Sequence, residues 1–450
     1  MKWSWQLIIF LYFGTSLLAS VPPAISQKPT VTASEILSWI NTDSSLSSPT
    51  VESIIAKLPE AYRRYFVLQY DSHSNHLSDR AHPRIIFFGP DAKLLFAASG
   101  LPSDPHYETI EMIEYEERKA EFSFYSIHFN ETAKPKVEVN PQDCIRCHSS
   151  DPKPNWEAYS LWPGAYGSLH DRILPKTTEY NDFEAFLKTY KNHPRYRFLP
   201  SPFHMTTEDS FGTKTYYLSN GGIGPGSALS ILLNFLNRDR IAKKIVASES
   251  HSRYRPALTA AMLGCPQRID AFIPSDLRAQ SSQNYDSVLS ETETMMEKDY
   301  QRKLRMIGRL NQVGDAFIEP HADRFGFRKA EIERIAKLRF ILLYRNHPLD
   351  FDRWALSIAK NSLDFNDGVS GLENLIGHYL PLAYNENESV RKSVSLKQTP
   401  FSFTTAAEQG SHHHTNDPLA YSLDLFSITG DLNPTCELLE KEAKALSFSQ

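Results

Sequence analysis

Two spacings of apolar residues divide the chain. From about residue 34 to 58 they recur three and four apart (Ile36, Leu37, Trp39, Ile40, then Ile54, Ile55, Leu58), which predicts helix. The period then falls to two. Segments 84–88 and 93–97 flank Gly89-Pro90-Asp91, a turn signal, and predict a hairpin. Segments 109–115 and 121–129 predict a second strand pair. In the last of these, Phe122, Phe124, Ser126 and His128 share one face, and Ser123, Tyr125, Ile127 and Phe129 the other. Apolar residues on both faces imply a sheet covered on both sides.

From about Asn181 the helical period returns and holds. It predicts helices over 181–191, 228–246, 256–263, 289–310 and 328–344, with shorter ones over 349–359, 371–380, 419–426 and 434–446. The fold class expected is α+β: an antiparallel, hairpin-rich N-terminal part over 27–170, then a mainly α-helical part over 171–450.

The first 26 residues stand apart. Lys2 precedes an apolar run from about Trp5 to Leu18, and small residues Ala24 and Ser26 follow. This is the layout of a secretory signal peptide, 1–26, cleaved after Ser26, with Ala19 as a second cleavage position. The run is shorter than the ~18–20 residues a membrane span needs. The expected mature chain therefore has no transmembrane segment and lies in the periplasm of a Gram-negative bacterium or is secreted. Hydrophobic residues at 41% and charged residues at 22% fit a soluble globular protein. The formal charge is −5, and loss of a leader carrying Lys2 makes it more negative still. A nucleic-acid binder carries a basic surplus, so nucleic acid is not an expected partner.

The strongest chemical signal is Cys144-Ile145-Arg146-Cys147-His148. Two thiols separated by two residues, with His next, is the spacing for covalent c-type haem attachment. The thiols add across the two porphyrin vinyl groups, and the adjacent His falls under the iron as proximal ligand. One haem c is expected, with Cys144 and Cys147 as thioethers and His148 on iron. The alternatives are half of a zinc site, a thioredoxin-like redox pair or a local disulfide. The first lacks a second closely spaced Cys/His pair, and the second needs the motif to open a helix after a parallel strand, which the lead-in Asn140-Pro141-Gln142-Asp143 does not supply.

After the motif, Trp156, Tyr159, Trp162 and Tyr166 crowd a loop bent by Pro152, Pro154, Pro163, Gly164 and Gly167. Trp156 and Trp162 are expected haem-wall residues, since rings that exclude water protect the iron and tune it. The run from the haem motif through Pro154-Asn155-Trp156, Tyr159, Trp162-Pro163-Gly164 and Tyr166-Gly167 resembles a group of uncharacterised, cytochrome c-like exported proteins of Gram-negative bacteria. In these a hairpin-rich part beginning near a Pro-Arg pair, here Pro83-Arg84, precedes the motif. The resemblance covers about residues 60 to 230. It implies a single haem and no particular substrate.

For the sixth iron position the expected ligand is Met205, with His170, His193 and His204 as other choices; Met raises the potential of a haem. Cys265 and Cys436 remain after the haem takes its pair, and in an oxidising compartment they are expected to bridge. Arg195 and Arg197 are possible partners for haem propionates. The glycine-rich stretch 220–226 lacks the Lys-Ser/Thr of a P-loop and reads as a tight turn. His412, His413 and His414 are adjacent in a polar loop, where neighbouring side chains point apart.

Three functions compete. The first is a monohaem electron-transfer protein that meets a redox partner protein. The second is a haem enzyme or redox or gas sensor with an open iron position. The third is a non-haem secreted interaction protein. A soluble cytochrome c needs only about a hundred residues, so the helical part must serve something more.

Overall fold

The computed structural model describes residues 31–42, 49–63, 65–71, 74–129, 134–148, 152–154, 164–167, 173, 176–199, 225–248, 251–274, 285–311, 329–343, 371–385, 388–403 and 421–447. Three short helices, α1 (Ala33–Thr42), α2 (Val51–Lys57) and α3 (Glu60–Arg63), lead into a six-stranded sheet. Its strands are β1 (Phe66–Gln69), β2 (Arg84–Phe87), β3 (Leu94–Ala98), β4 (Thr109–Glu116), β5 (Glu121–His128) and β6 (Lys136–Val139). Each strand pairs antiparallel with the next in chain order. The two expected hairpins are therefore present, and β1 and β6 extend them on either side.

The register separates the faces. One face carries the row Phe66, Phe87, Phe96, Met112, Tyr125 and Val139, and beside it Leu68, Ile85, Ala98, Ile110, Ile127 and Val137. Glu114 on this side accepts the amide N–H of Ala33 at 3.0 Å, which ties α1 to it. The other face carries Ile86, Ala97, Glu111 and Ser126 in one row and Leu95, Ile113 and Phe124 in the next. β1, β2 and β3 are buried along their whole length, so both sides of the sheet are covered, as expected.

After β6 come α4 (Gln142–His148), α5 (Thr178–Thr189) and α6 (Pro225–Ala247). On α6 the residues Leu229, Leu232, Leu233 and Leu236 are buried in the core of the sheet. Their spacing of three and four puts them on one stripe, and each contributes about 1.5–3 kcal/mol by burial. Tyr115 from β4 donates to Asp239 at 2.6 Å, and Lys243 donates to the carbonyl of Glu117 at 3.1 Å, so α6 is also tied by polar contacts. The last turns of α6 join a second core, beginning at Ile241.

That second core is built by α7 (His251–Leu263), α8 (Tyr285–Asn311), α9 (Lys329–Leu343), α10 (Gly371–Ala383), α11 (Glu388–Ser393) and α12 (Asn433–Ser447). The fold class is α+β, with the antiparallel sheet first and the helices after it. One element departs from expectation: 419–426 reads as helix, but the chain forms strand β8 (Tyr421–Ile428), paired with β7 (Leu396–Phe403). Tyr421, Leu423 and Leu425 alternate, and pairing along all eight residues of β7 outweighs the weak helical spacing. Cys265 and Cys436 form a disulfide with Cα atoms 5.8 Å apart, which joins the end of α7 to the start of α12. Among the described residues no helix is long and apolar enough to cross a membrane. The expected leader 1–26 and the expected helix 349–359 lie outside the described residues.

Candidate functional site

The chain turns from β6 into α4 at Asn140, whose φ of 49° is left-handed. Asn tolerates this region better than other non-glycine residues. Its side-chain oxygen accepts the Phe124 N–H at 2.9 Å, and its own N–H donates to the Phe124 carbonyl at 2.7 Å. This locks the start of α4 to β5. Pro141 then cannot continue strand pairing, and the helix begins.

On α4, Cys144 and Cys147 are three apart and His148 four from Cys144, so the three side chains share one side of the helix. All three line a half-open cleft of about 240 Å³, somewhat below the usual small-molecule pocket of about 300–1,000 Å³. The floor of the cleft is the second sheet face, with Ile86, Leu95, Ala97, Ile113 and Phe124 among its lining residues, and Leu229 of α6 adds to the wall. Cys144 is half-buried and Cys147 exposed, and neither is bridged. Burial pushes the Cys144 thiol up to about 11.

His148 is held on both sides. Its ring centroid lies 4.6 Å from that of Phe124, and its Nδ1 is 2.6 Å from the carbonyl oxygen of Lys153. A carbonyl only accepts, so Nδ1 carries the proton and Nε2 keeps a lone pair. Burial lowers the basicity of the ring and favours the neutral form. A neutral imidazole whose far nitrogen donates to a backbone carbonyl is the arrangement of metal-ligating histidines.

Two charged side chains interrupt the apolar floor. Arg84 of β2 donates to Glu111 of β4 at 2.5 Å and to Ser74 at 2.9 Å, and its buried Nε has no partner among the described residues. Burial works to raise the pKa of Glu111, but Arg84, with His76 and His106, overrides it and keeps the carboxyl below its usual range. Neither Arg84 nor Glu111 stands out in sequence as a site residue. A charge on a strand between apolar neighbours looks like a solvent-facing position, and only the register places both under the cysteines.

Arg195, a possible propionate partner by sequence, is used elsewhere. It is fully buried, with hydrogen bonds to Glu52 at 2.9 Å and to the Ser99 carbonyl at 2.5 Å, over the Tyr107 ring. Arg197 is exposed and packs on Phe198. His193 stacks on Tyr196 at 4.2 Å, away from the residues that line the cleft. Trp156, Trp162, Tyr159, His170, His204, Met205 and His412–His414 lie outside the described residues.

After the motif the chain is described again at 164–167. Gly164 lies against Asp71 with φ +87°, where a Cβ would meet that residue at 2.5 Å. Ala165 bridges Gln69, and the N–H of Tyr166 donates to Leu68 at 2.9 Å. This segment thus pairs with β1, the sheet edge opposite β6. The sheet has α4 following its β6 edge and 164–167 along its β1 edge.

Compared with known proteins, the chain matches no family model, no curated protein and no solved structure.

Proposed function

We propose that this protein is an exported, monohaem c-type cytochrome-like protein with an electron-transfer role. The observation that carries the reading is the placing of Cys144, Cys147 and His148 on one side of a helix over an apolar cleft, with His148 Nδ1 engaged and Nε2 left as the donor atom. The residues fit the group: paired thiols to take thioether bonds, a neutral imidazole to ligate iron, and apolar side chains to cover a porphyrin. Arg84 supplies a guanidinium with a buried N–H to spare. Bound there, haem supplies a one-electron couple.

The protein's own part is to orient and to exclude water. Phe124 and the Lys153 carbonyl fix the His148 ring, while Ile86, Leu95 and Ile113 form a dry floor. Trp156 and Trp162 belong to this reading as wall residues, and Met205 as the sixth ligand. A redox partner protein is part of it, as is a periplasmic or secreted location, where c-haem is attached. A haem enzyme or sensor with an open iron position is the nearest alternative.

Coexpression with the c-haem maturation machinery tests the reading. The intact mass of the product should exceed the polypeptide by one haem that acid-acetone does not extract. Replacing both Cys144 and Cys147 with Ser should abolish the gain. A polypeptide-only mass from the unaltered chain would sink the reading. Met205→Ala should remove the weak near-infrared sulfur-to-iron band and lower the potential. Rapid binding of carbon monoxide by the untreated protein would favour the enzyme or sensor instead.

A further inference from the structure

Behind Glu111 stands a buried row of acid, histidine and acid. His76 is fully buried, and its Nδ1 is 3.1 Å from Asp104 Oδ2. Its Nε2 is 3.4 Å from Glu111 Oε2 and makes no hydrogen bond. Asp104, itself buried, also accepts the His106 N–H at 3.0 Å. Burial works against its charge, but the His76 and His106 hydrogen bonds hold its carboxyl well below the usual range.

A carboxylate only accepts. His76 therefore donates from Nδ1 to Asp104, and in its neutral form it keeps a lone pair on Nε2. Glu111, ionised beside Arg84, presents a lone pair as well. In that form the contact between Nε2 and Oε2 sets acceptor against acceptor, a buried place for one proton. A proton set on Nε2 turns it into a charge-assisted hydrogen bond on each side of the ring. The other groups facing this row are Arg84 from β2, His106 with its ring 6.0 Å from that of His76, and His148 and Cys144 from α4. With Arg84 positive and two carboxylates negative, the row carries one net negative charge until His76 takes the proton.

We propose that His76, held between Asp104 and Glu111, takes up a proton when an electron enters the adjacent cleft, so that reduction there is coupled to proton uptake. This rests on the haem reading above. The accounting is simple: one electron comes from a one-electron donor, one proton leaves hydronium, and the single bond formed in the protein is N–H at Nε2. The added electron deepens the negative potential at the row, and a nearby negative charge favours protonation. The half-exposed His106 donates its backbone N–H to Asp104 and has its ring 6.0 Å from that of His76.

The test is spectroelectrochemical titration of the holoprotein across about pH 5 to 8, the range in which histidines titrate. Within the coupled window the reduction equilibrium constant should fall tenfold per pH unit, which is 59 mV for one electron. Reduction in weakly buffered solution should take up close to one proton per electron. Glu111→Gln should flatten the slope, because its amide N–H donates to Nε2 and fills the vacant place. Asp104→Asn, a second variant should the first not fold, should move the window about one pH unit lower or more. A haem-bearing protein whose potential is constant with pH would overturn the proposal and leave the haem reading standing. So would a slope that neither variant alters. A chain that takes no haem would overturn both.

Discussion

His148 Nδ1 and the carbonyl oxygen of Lys153 lie 2.6 Å apart, and Pro154 follows directly. A proline keeps the residue before it extended, so the acceptor cannot readily swing away from the ring. The bond both selects the tautomer and aims Nε2. On the proposed haem reading, His148→Gly should keep the mass gain of one haem, since the thioethers would be at Cys144 and Cys147. It should lose the unaltered protein's absorption spectrum and regain it with added imidazole. An unchanged spectrum without imidazole would remove His148 as the ligand. Pro154→Gly should weaken ligation about 10–100-fold, as changes behind a ligating histidine commonly do.

Arg195 is a heavily engaged buried cation near the sheet, with Glu52, Glu108, the Ser99 carbonyl and the Tyr107 ring around it. Arg195→Ala leaves Glu52 without its partner. The expected loss is about 3–5 kcal/mol, read as a lower urea midpoint. Haem attachment at permissive temperature should be unaffected, because Arg195 does not line the cleft.

Cys265 and Cys436 are 171 residues apart in sequence. Closing a loop of that length restricts the unfolded chain by about 5 kcal/mol on entropy alone. Cys265→Ala with Cys436→Ala should therefore lower Tm, and dithiothreitol should do the same to the unaltered protein but not to the double variant. The haem spectrum should stay as it was, since the bridge belongs to the second core.

Glu179 accepts the Gly167 N–H at 2.9 Å, and burial pushes its carboxyl from 4.5 up to about 7. The folded chain thus keeps this proton where the unfolded chain has lost it. Its contribution to stability is full below about pH 4.5 and fades as pH rises through 7. Glu179→Gln keeps the acceptor and removes the charge. Calorimetry should show a higher Tm than the unaltered protein at pH 8 and the same Tm at about pH 4.

The sequence was most readable where the pattern was local. Gly89-Pro90-Asp91 marked the turn between β2 and β3, and α8 and α9 lie within a few residues of the spacing that predicts them. β1 escaped because Phe66–Gln69 is four residues long and buried throughout, so it shows no alternation. β6 escaped by its brevity: Lys136–Val139 is a four-residue edge strand with charged residues at two of its positions. The cysteine motif was legible because Cys144, Cys147 and His148 stand within five consecutive residues. The floor beneath it was not, since Arg84, Glu111 and Phe124 meet only through the register of four strands.

The strand order has a consequence in time. Because β1 to β6 pair strictly in chain order, the whole sheet can assemble from residues up to Val139, through contacts that are close in sequence. Such contacts form early, and a chain is made N-terminus first. Cys144 and Cys147 come next, on a helix already locked to β5 through Asn140. Leu229, which completes the wall of the cleft, arrives with α6 only after Pro225. The nascent chain therefore passes through a stage at which the platform and both thiols are in place and the far wall is still missing. On the proposed haem reading, a wide, flat ligand would be bonded at that stage, before Leu229 reaches the cleft.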